Sequence, residues 1–305
     1  MLSLKFSTNF KSRFWFFLIF LSFFKTELCS IDFYEAKKKH FFSICSVFKN
    51  EERFLKEWIE YHQLVGVDHF YLYRVPCKDK SLDLLTPYIK DGIVTVINWY
   101  DLDVGENEEA HRSIALEVPA YHHAIKYKAV NETKWIAILE VNEFLVPLGN
   151  RKISEILKNY EEYPGIVLES DYFDASAPVF PPKQLLIQTI ALSDDATGKG
   201  KNFEKTIFKP DLVESFSLPS CRCNFKDNKS SVKTSRNEIR VNRYEKRSYN
   251  DLFLGKRKTK VKLDSRNYSE KEIKELCRFN FEVDDSERAI YQYIPKMLEK
   301  IGGNE

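Results

Sequence analysis

This sequence lacks a large net charge, internal repeats, low-complexity tracts and any hydrophobic run long enough to cross a bilayer easily. A formal net charge of +2 over 305 residues gives no overall bias towards nucleic acid or an acidic surface. The composition, 43% hydrophobic and 14% aromatic, is not that of a disordered chain. It supplies enough apolar surface for one large core or two small ones.

Cysteine pairs with metal-ligand spacing are also absent. Of the six cysteines, Cys221 and Cys223 form a C-x-C, which is too tight for an ordinary zinc knuckle. Scattered, mostly buried thiols are one interpretation of the cysteines. One or two disulfides are the other, if the protein is exported.

The N-terminus has the pattern of a targeting segment. Basic residues precede an apolar run of about eleven residues, 14–24, which is the length of a signal-peptide core. Cys29 lies at a plausible cleavage point. Residues 1–30 therefore predict a signal peptide or a short membrane anchor, and hence an exported or membrane-anchored protein. A buried segment of the fold is the remaining interpretation.

Positive charge is concentrated in residues 222–263. This segment lacks the aromatic interleaving typical of nucleic-acid surfaces, so binding to nucleic acid or an anionic membrane is the weakest functional hypothesis. We expect no nucleic-acid partner.

Strand and helix patterns alternate in the first half of the chain. Asn50 is predicted to cap the first helix, and aromatic residues at helical spacing follow it. This alternation favours an α/β fold with a parallel-rich sheet and right-handed crossovers. The strands are predicted at Phe41–Phe48, Asp68–Val75 and Ile93–Trp99, and a longer helix covers residues 106–130.

The stretch Lys134–Pro147, KWIAILEVNEFLVP, is predicted to be a buried central strand. Ligands of open α/β sheets bind at strand ends. Glu140, Asn142 and Glu143 therefore lie where a site is expected. After Asp174 the pattern changes: residues 185–192 are predicted as a strand and 219–236 as a loop, and residues 261–305 form a helical C-terminal extension.

Residues Lys49–Tyr73, KNEERFLKEWIEYHQLVGVDHFYLY, resemble the glycosyltransferase family 92 domain. The resemblance continues at Trp135–Pro147, which corresponds to the family's W-x-x-x-x-D-x-D-E-F-L-x-P. It covers about residues 40–260, including Lys205–Pro210 and Arg240–Ser248. It implies a GT-A fold, which is Rossmann-like, with a mostly parallel central sheet flanked by helices.

The resemblance also implies an activity. Characterised relatives use a divalent cation, Mn or Mg, and transfer galactose from UDP-galactose to a glycan or glycoprotein acceptor with inversion. A general base must then deprotonate the acceptor hydroxyl, and the candidates are Asp171 and Asp174. The other implied site residues are the metal ligands Glu140 and Asn142 and the nucleotide-binding residues Asn50, Glu51, Lys205, Lys209, Arg243 and Arg247.

The sequence departs from the family pattern where the metal is expected. Glu140-Val141-Asn142 replaces the Asp-x-Asp, and Arg243 replaces a His that often completes the metal shell. An arginine cannot ligate a metal, but its planar fork suits phosphate. In one hypothesis Arg243, with Arg247, Lys205 and Lys209, binds the diphosphate directly. In the other, the chain is a catalytically inactive relative that binds carbohydrate or nucleotide.

Overall fold

The computed structural model describes residues 38–99, 117–174, 185–188, 204–217, 222–246, 289–290 and 292–302. The predicted targeting segment 1–30 and the predicted phosphate ligand Arg247 lie outside the described residues. Asp174 is described by its backbone only. Within the described part of the chain, no helix has both the length and the apolar character that a membrane span needs.

The first half of the chain builds four parallel strands, as the alternating pattern predicts. They are β1 (His40–Phe48), β2 (His69–Arg74), β3 (Val94–Asn98) and β4 (Thr133–Ile138). The helices between them are α1 (Glu52–Leu64), α2 (Ser81–Lys90) and α3, which covers residues 117–132 and is wound as a π-helix over Ala124–Ala129. β1 lies between β2 and β4, and β3 is the outer neighbour of β2.

The predicted central strand is in fact two strands. β4 ends at Ile138, and β5 (Glu143–Pro147) lies at the far end of the sheet. A turn separates them, in which the Glu143 amide donates to the Glu140 carbonyl at 3.0 Å and the Glu140 amide donates to the Glu143 carboxylate at 2.9 Å. The hydrophobic pattern does not reveal this break, because the segments before and after the turn are both apolar and buried.

The second half of the chain adds α4 (Ile153–Lys158), β6 (Gly165–Asp174), β7 (Glu204–Phe208), β8 (Val213–Ser217), β9 (Arg222–Phe225), β10 (Val232–Lys233) and β11 (Ile239–Lys246). These elements complete a nine-stranded sheet in the order β3-β2-β1-β4-β7-β6-β11-β5, with β10 beside β6. Five of its eight strand pairs are parallel, which confirms the predicted α/β class with a mostly parallel sheet.

Two predictions in this half are wrong. Residues 219–236, predicted as a loop, contain β9 and β10, and β9 pairs with β8 in a separate two-stranded sheet. Leu186–Gln188, predicted as strand, forms a single 3-10 turn. Its Leu186 and Ile187 amides donate to the buried carboxylate of Glu57 on α1, at 2.8 and 3.0 Å. Hydrophobic periodicity does not predict this contact, because it joins residues far apart in the sequence.

The sheet separates two hydrophobic cores. Alternate residues of β4 face opposite sides: Trp135 and Ala137 belong to one core, and Ile136 and Ile138 to the other. This is the expected behaviour of a strand buried on both faces. Helix α1 packs in the first core, and α3 packs in the second.

The C-terminal helix α5 (Ile294–Gly302) packs against α1. Met297 is fully buried in the first core, and the Lys300 ammonium contacts Glu60 at 2.6 Å. The described part of the predicted C-terminal extension therefore shares the core of the main domain.

Candidate active site

One edge of the sheet collects several of the polar residues predicted to form a site. The parallel strands β1, β4, β6 and β11 end there, and the antiparallel strands β5 and β7 begin there. We call it the carboxyl edge. Open α/β sheets bind ligands at such an edge.

Glu143, the first residue of β5, is the centre of the polar cluster at this edge. Its side chain is 1% exposed. One carboxylate oxygen accepts from the Lys205 ammonium at 2.8 Å and from the Glu140 amide at 2.9 Å, and the other accepts from Arg243 Nη1 at 2.8 Å. Burial opposes ionisation, but Lys205 and Arg243 outweigh it, so the pKa of Glu143 lies below its ordinary value.

Arg243 links the buried centre to the surface. Its Nη1 donates to Glu140 at 2.9 Å as well as to Glu143, and its Nη2 donates to the second oxygen of Glu140 at 3.2 Å. The Glu140 side chain is 44% exposed, whereas that of Arg243 is 21% exposed. The Glu140 carboxylate therefore lies at the boundary with solvent, and the Arg243 guanidinium is more deeply buried.

Helix α1 positions β5, and with it Glu143. The outer edge of β5 has no neighbouring strand in the described sheet order. Side chains of α1 satisfy its backbone hydrogen bonds instead. Trp58 donates to the Glu143 carbonyl at 2.8 Å, and Tyr61 donates to the Leu145 carbonyl at 3.0 Å. The Leu145 amide donates to His62 Nε2 at 3.2 Å. These aromatic residues thus have the structural role that their helical spacing predicts.

His62 is held as a neutral imidazole. Its Nδ1 donates to the Trp58 carbonyl at 2.8 Å while Nε2 accepts from Leu145. Burial lowers the pKa of His62 to about 3. The unfolded state therefore binds more protons between about pH 3 and 6.5, and the contribution of His62 to stability falls as the pH drops through this window.

Replacing His62 by alanine is expected to lower the free energy of unfolding by about 3 kcal/mol. The change leaves a buried amide and a buried carbonyl without partners, at about 1–3 kcal/mol each. Urea unfolding measures the effect. His122→Ala is the control, because His122 is only partly buried and contacts the Phe216 ring at a tilted angle. Equal losses in the two variants would contradict this role for His62.

The cluster does not fit the predicted divalent metal. Both oxygens of Glu140 accept from the Arg243 guanidinium, and Glu143 already accepts from two cationic side chains. Asn142 is buried, and its amide nitrogen donates to the Tyr244 carbonyl at 3.1 Å. Its amide oxygen, the atom that would ligate a metal, has no hydrogen-bond partner among the described residues, but it is neutral and offers a cation no charge. A divalent cation beside Glu140 would meet two fixed positive charges. Among the described residues, no three His, Cys, Asp or Glu side chains form a group suited to a metal.

Glu117, on α3, belongs to the same cluster although no sequence motif indicates it. Burial, and then repulsion from Glu140, raise the pKa of Glu117 to about 7, while Lys205 and Arg243 oppose the shift. The available sequence signal is indirect. A helix leading directly into the central strand returns its early residues to the end of that strand, but helical periodicity alone does not tell which of those residues reaches the site.

The predicted nucleotide ligands Asn50 and Glu51 follow β1 at the carboxyl edge. Asn50 is not the helix cap: it has a left-handed φ of 56°, and its side-chain oxygen accepts from the Lys78 amide at 2.8 Å. Asp79 takes the capping role, because its carboxylate accepts from the Glu52 amide at 2.9 Å.

Lys209 and Asp171 are placed away from the cluster. Lys209 follows the last residue of β7, at the opposite edge of the sheet from Lys205. There it contacts Glu161 and lies over the Trp135 ring. Asp171 pairs in register with Asn242, whereas Arg243 pairs with Tyr172, so Asp171 and Arg243 project from opposite faces. The Asp171 carboxylate contacts Arg236 at 2.6 Å and Arg240 at 3.3 Å.

Comparison with known proteins finds solved structures to which this chain is partly similar. The S. aureus TarS 1–349 structure in complex with UDP is 12% identical, with a TM-score of 0.38, and the match covers 67% of this chain and 60% of that one. The structure of the galactosyltransferase LgtC with donor and acceptor sugar analogues is 10% identical, with a TM-score of 0.31. That match covers 55% of this chain and 58% of LgtC.

Curated sequences give more direct relatives. A glycosyltransferase family 92 protein of Oryza sativa subsp. japonica is 29% identical over 135 residues, which are 43% of this chain and 20% of the rice protein. One from Arabidopsis thaliana is 30% identical over 111 residues, which are 35% of this chain and 16% of that protein. The chain thus matches a fifth or less of the length of these two relatives. The profile of glycosyltransferase family 92 matches residues 38–279, most of the chain, so this protein belongs to glycosyltransferase family 92.

Proposed function

We propose that this protein transfers a hexose, galactose-like, from a UDP-sugar to a glycan or glycoprotein acceptor with inversion. Arg243 and Lys205 supply the positive charge at the diphosphate in this proposal. Family membership supports glycosyl transfer, and the polar cluster at the carboxyl edge supports the cationic mode of donor binding. The choice of donor, acceptor and stereochemistry is part of the proposal.

The two-point contact between the Arg243 guanidinium and the Glu140 carboxylate is the observation that most supports the proposed binding of the diphosphate. A phosphate group offers two oxygens with spacing similar to that of a carboxylate, so it can replace Glu140 on the guanidinium. Glu140 is the partner that can move, because it is 44% exposed, whereas Glu143 is buried and bonded on both oxygens. When a diphosphate displaces Glu140, Arg243 stays anchored to Glu143.

The chemistry needs such a group. Breaking the bond between the sugar and the diphosphate adds negative charge to the leaving group, and a preorganised cation stabilises that charge. Lys205 and Arg243 are both fixed by Glu143, so they require little reorganisation when the charge develops. No step in this proposal passes through a metal, because the cluster does not fit one.

A second candidate follows from the same contacts. Each cation of the cluster already faces a carboxylate, so the charges of Glu140, Glu143, Lys205 and Arg243 sum to zero. That balance favours an inactive relative that binds carbohydrate or nucleotide without transferring it.

The test measures UDP binding and sugar transfer by the full chain in EDTA and in Mn²⁺. At a UDP concentration of about 100 Kd, binding stabilises the fold by about 2.7 kcal/mol and raises Tm by about 5 °C or more. We expect this shift to persist in EDTA, with transfer from a nucleotide-sugar panel to mixed glycans detected by mass spectrometry. Loss of both signals in EDTA, with recovery in Mn²⁺, would contradict the cationic mode. UDP binding without transfer or hydrolysis would favour the inactive relative.

Export or membrane anchoring through residues 14–24 is also a proposal, made from the sequence pattern alone. Expressing the full chain in a secretory host and determining the N-terminus of the secreted protein tests it. A new N-terminus near Cys29 is the expected result, whereas an intact N-terminus on protein that stays inside the cell would contradict export.

A further inference from the structure

We infer that Glu117 is the general base of the transfer, accepting the proton of the acceptor hydroxyl. This inference rests on the proposed function and adds a catalytic residue to it. Asp171 and Asp174, the sequence-predicted candidates, do not carry this role in the inference.

The path of α3 brings Glu117 to the carboxyl edge. The helix ends at Glu132, and β4 begins at Thr133, so the chain reverses there. Buried residues of α3, including Ala124 and Ile125, belong to the same core as Ile136 and Ile138 of β4. The helix therefore lies along the strand.

The lengths of the two elements match. Glu117 precedes Thr133 by sixteen residues, which span at most about 24 Å at the α-helical rise of about 1.5 Å per residue, because the π-helical part of α3 rises less per residue. Glu140 follows Thr133 by seven residues, which is about 23 Å at about 3.3 Å per residue. Glu117 and Glu140 thus lie at the same height along the sheet.

The charged surroundings of Glu117 agree with this placement. Four groups act on its carboxyl: Glu140 from the turn between β4 and β5, Glu143 from the start of β5, Lys205 from β7 and Arg243 from β11. Burial and the nearby carboxylates keep the pKa near 7, which suits a base that must be unprotonated before reaction and accept a proton during it.

Other acids near this edge are poorer candidates because their carboxylates are already paired with cationic side chains. Glu143 contacts Lys205 and Arg243, Glu140 contacts Arg243, and Asp171 contacts two arginines. Across the described part of the chain, no lysine or arginine forms an ion pair with the Glu117 carboxylate within 4 Å. Its affinity for a proton is therefore not suppressed by a direct salt bridge.

The step balances as a displacement. The acceptor oxygen forms a bond to the anomeric carbon while the bond from that carbon to the β-phosphate oxygen breaks. The bonding electron pair leaves with UDP, and the acceptor proton passes to Glu117. Arg243 and Lys205 stabilise the charge gained by the leaving UDP.

The experiment compares wild-type protein with Glu117→Gln, Glu117→Asp and the control Glu132→Gln. Glu132 is on the same helix at the opposite edge of the sheet, where it accepts from the Tyr71 hydroxyl, and glutamine can still accept there. Transfer rates are measured with the nucleotide-sugar donor that wild-type protein uses, from about pH 5 to about pH 9. UDP binding is measured by thermal shift on each variant.

We expect Glu117→Gln to reduce kcat by about 10²–10⁴-fold with UDP binding unchanged. The rise of the wild-type rate through about pH 7 should disappear in this variant, while Glu117→Asp restores part of the rate and Glu132→Gln behaves as wild type. A Glu117→Gln variant that transfers at the wild-type rate, or that keeps the wild-type pH profile, would overturn the inference alone. Wild-type protein that neither transfers nor hydrolyses any donor would overturn the proposed function, and this inference with it.

Discussion

Replacing Glu143 by alanine is expected to lower the free energy of unfolding by about 3–5 kcal/mol, the largest stability effect that we predict for the site. The substitution leaves Lys205, which is 7% exposed, without its carboxylate, and removes the inner anchor of Arg243. Removing one partner of a buried ion pair is costly because the remaining charge stays desolvated and loses the compensation which that partner gave. Urea unfolding at neutral pH measures the loss.

The matched control for this prediction is Glu161→Ala. Glu161 pairs with Lys134 at 2.7 Å, but both side chains are more than a third exposed, so the pair is screened by solvent. Exposed pairs contribute at most about 1 kcal/mol. A Glu143 variant as stable as the Glu161 variant would show that the buried cluster does not hold β5 in place.

The stability effect of Glu143 should depend on pH in a defined direction. Its folded-state pKa is lowered, so the unfolded state binds more protons as the solution becomes acidic. The contribution of Glu143 is therefore present above its unfolded pKa of about 4.5 and is lost as the pH falls through the lower folded value. The difference between wild-type protein and Glu143→Ala should shrink on acidification.

Replacing Arg243 by methionine is expected to reduce transfer by about 10²–10³-fold and to remove most of the stabilisation by UDP. Methionine keeps an unbranched apolar side chain but removes the guanidinium fork that we assign to the diphosphate. Arg243→Lys should be intermediate, since one ammonium keeps the charge without the fixed planar geometry. Steady-state rates and UDP thermal shifts give the two readouts.

Lys209→Met is the control for Arg243. The sequence predicts a phosphate ligand at both positions, but Lys209 lies at the opposite edge of the sheet, where it contacts Glu161. We expect normal transfer and normal UDP binding from this variant. Equal losses from the two substitutions, or wild-type behaviour of a folded Arg243→Met variant, would contradict the assignment of the diphosphate to the carboxyl edge.

Local patterns predict much of the first half of the fold because its parallel strands are buried on both faces and its helices are amphipathic. β1, β2 and β3 lie within a residue or two of the predicted strands. The turn at Glu140–Glu143 is different. Two apolar segments of similar length flank it, and only the pairing of β5 with β11 shows that they belong to separate parts of the sheet.

The sequence predicted the place of the polar cluster but not the contacts within it. Glu140 and Glu143 could be expected at a strand end, and the departure at Arg243 is visible in the sequence. The contact between Arg243 and both glutamates joins residues about a hundred positions apart. The position of Glu117 near the cluster could not be predicted from the sequence either. It depends on the length of α3 relative to β4 and not on a motif.

The amino-acid sequence by itself determined the family, the α/β class and the edge of the sheet at which Glu140 and Glu143 lie, since these follow from short motifs and from hydrophobic periodicity within single elements. Only the tertiary structure decided that Lys205 and not Lys209 reaches that edge, that Arg243 takes up both oxygens of Glu140, and that Glu117 lies near them. The physical reason is that charge pairing acts through space: which side chains meet depends on strand direction and register, which no local window of sequence contains.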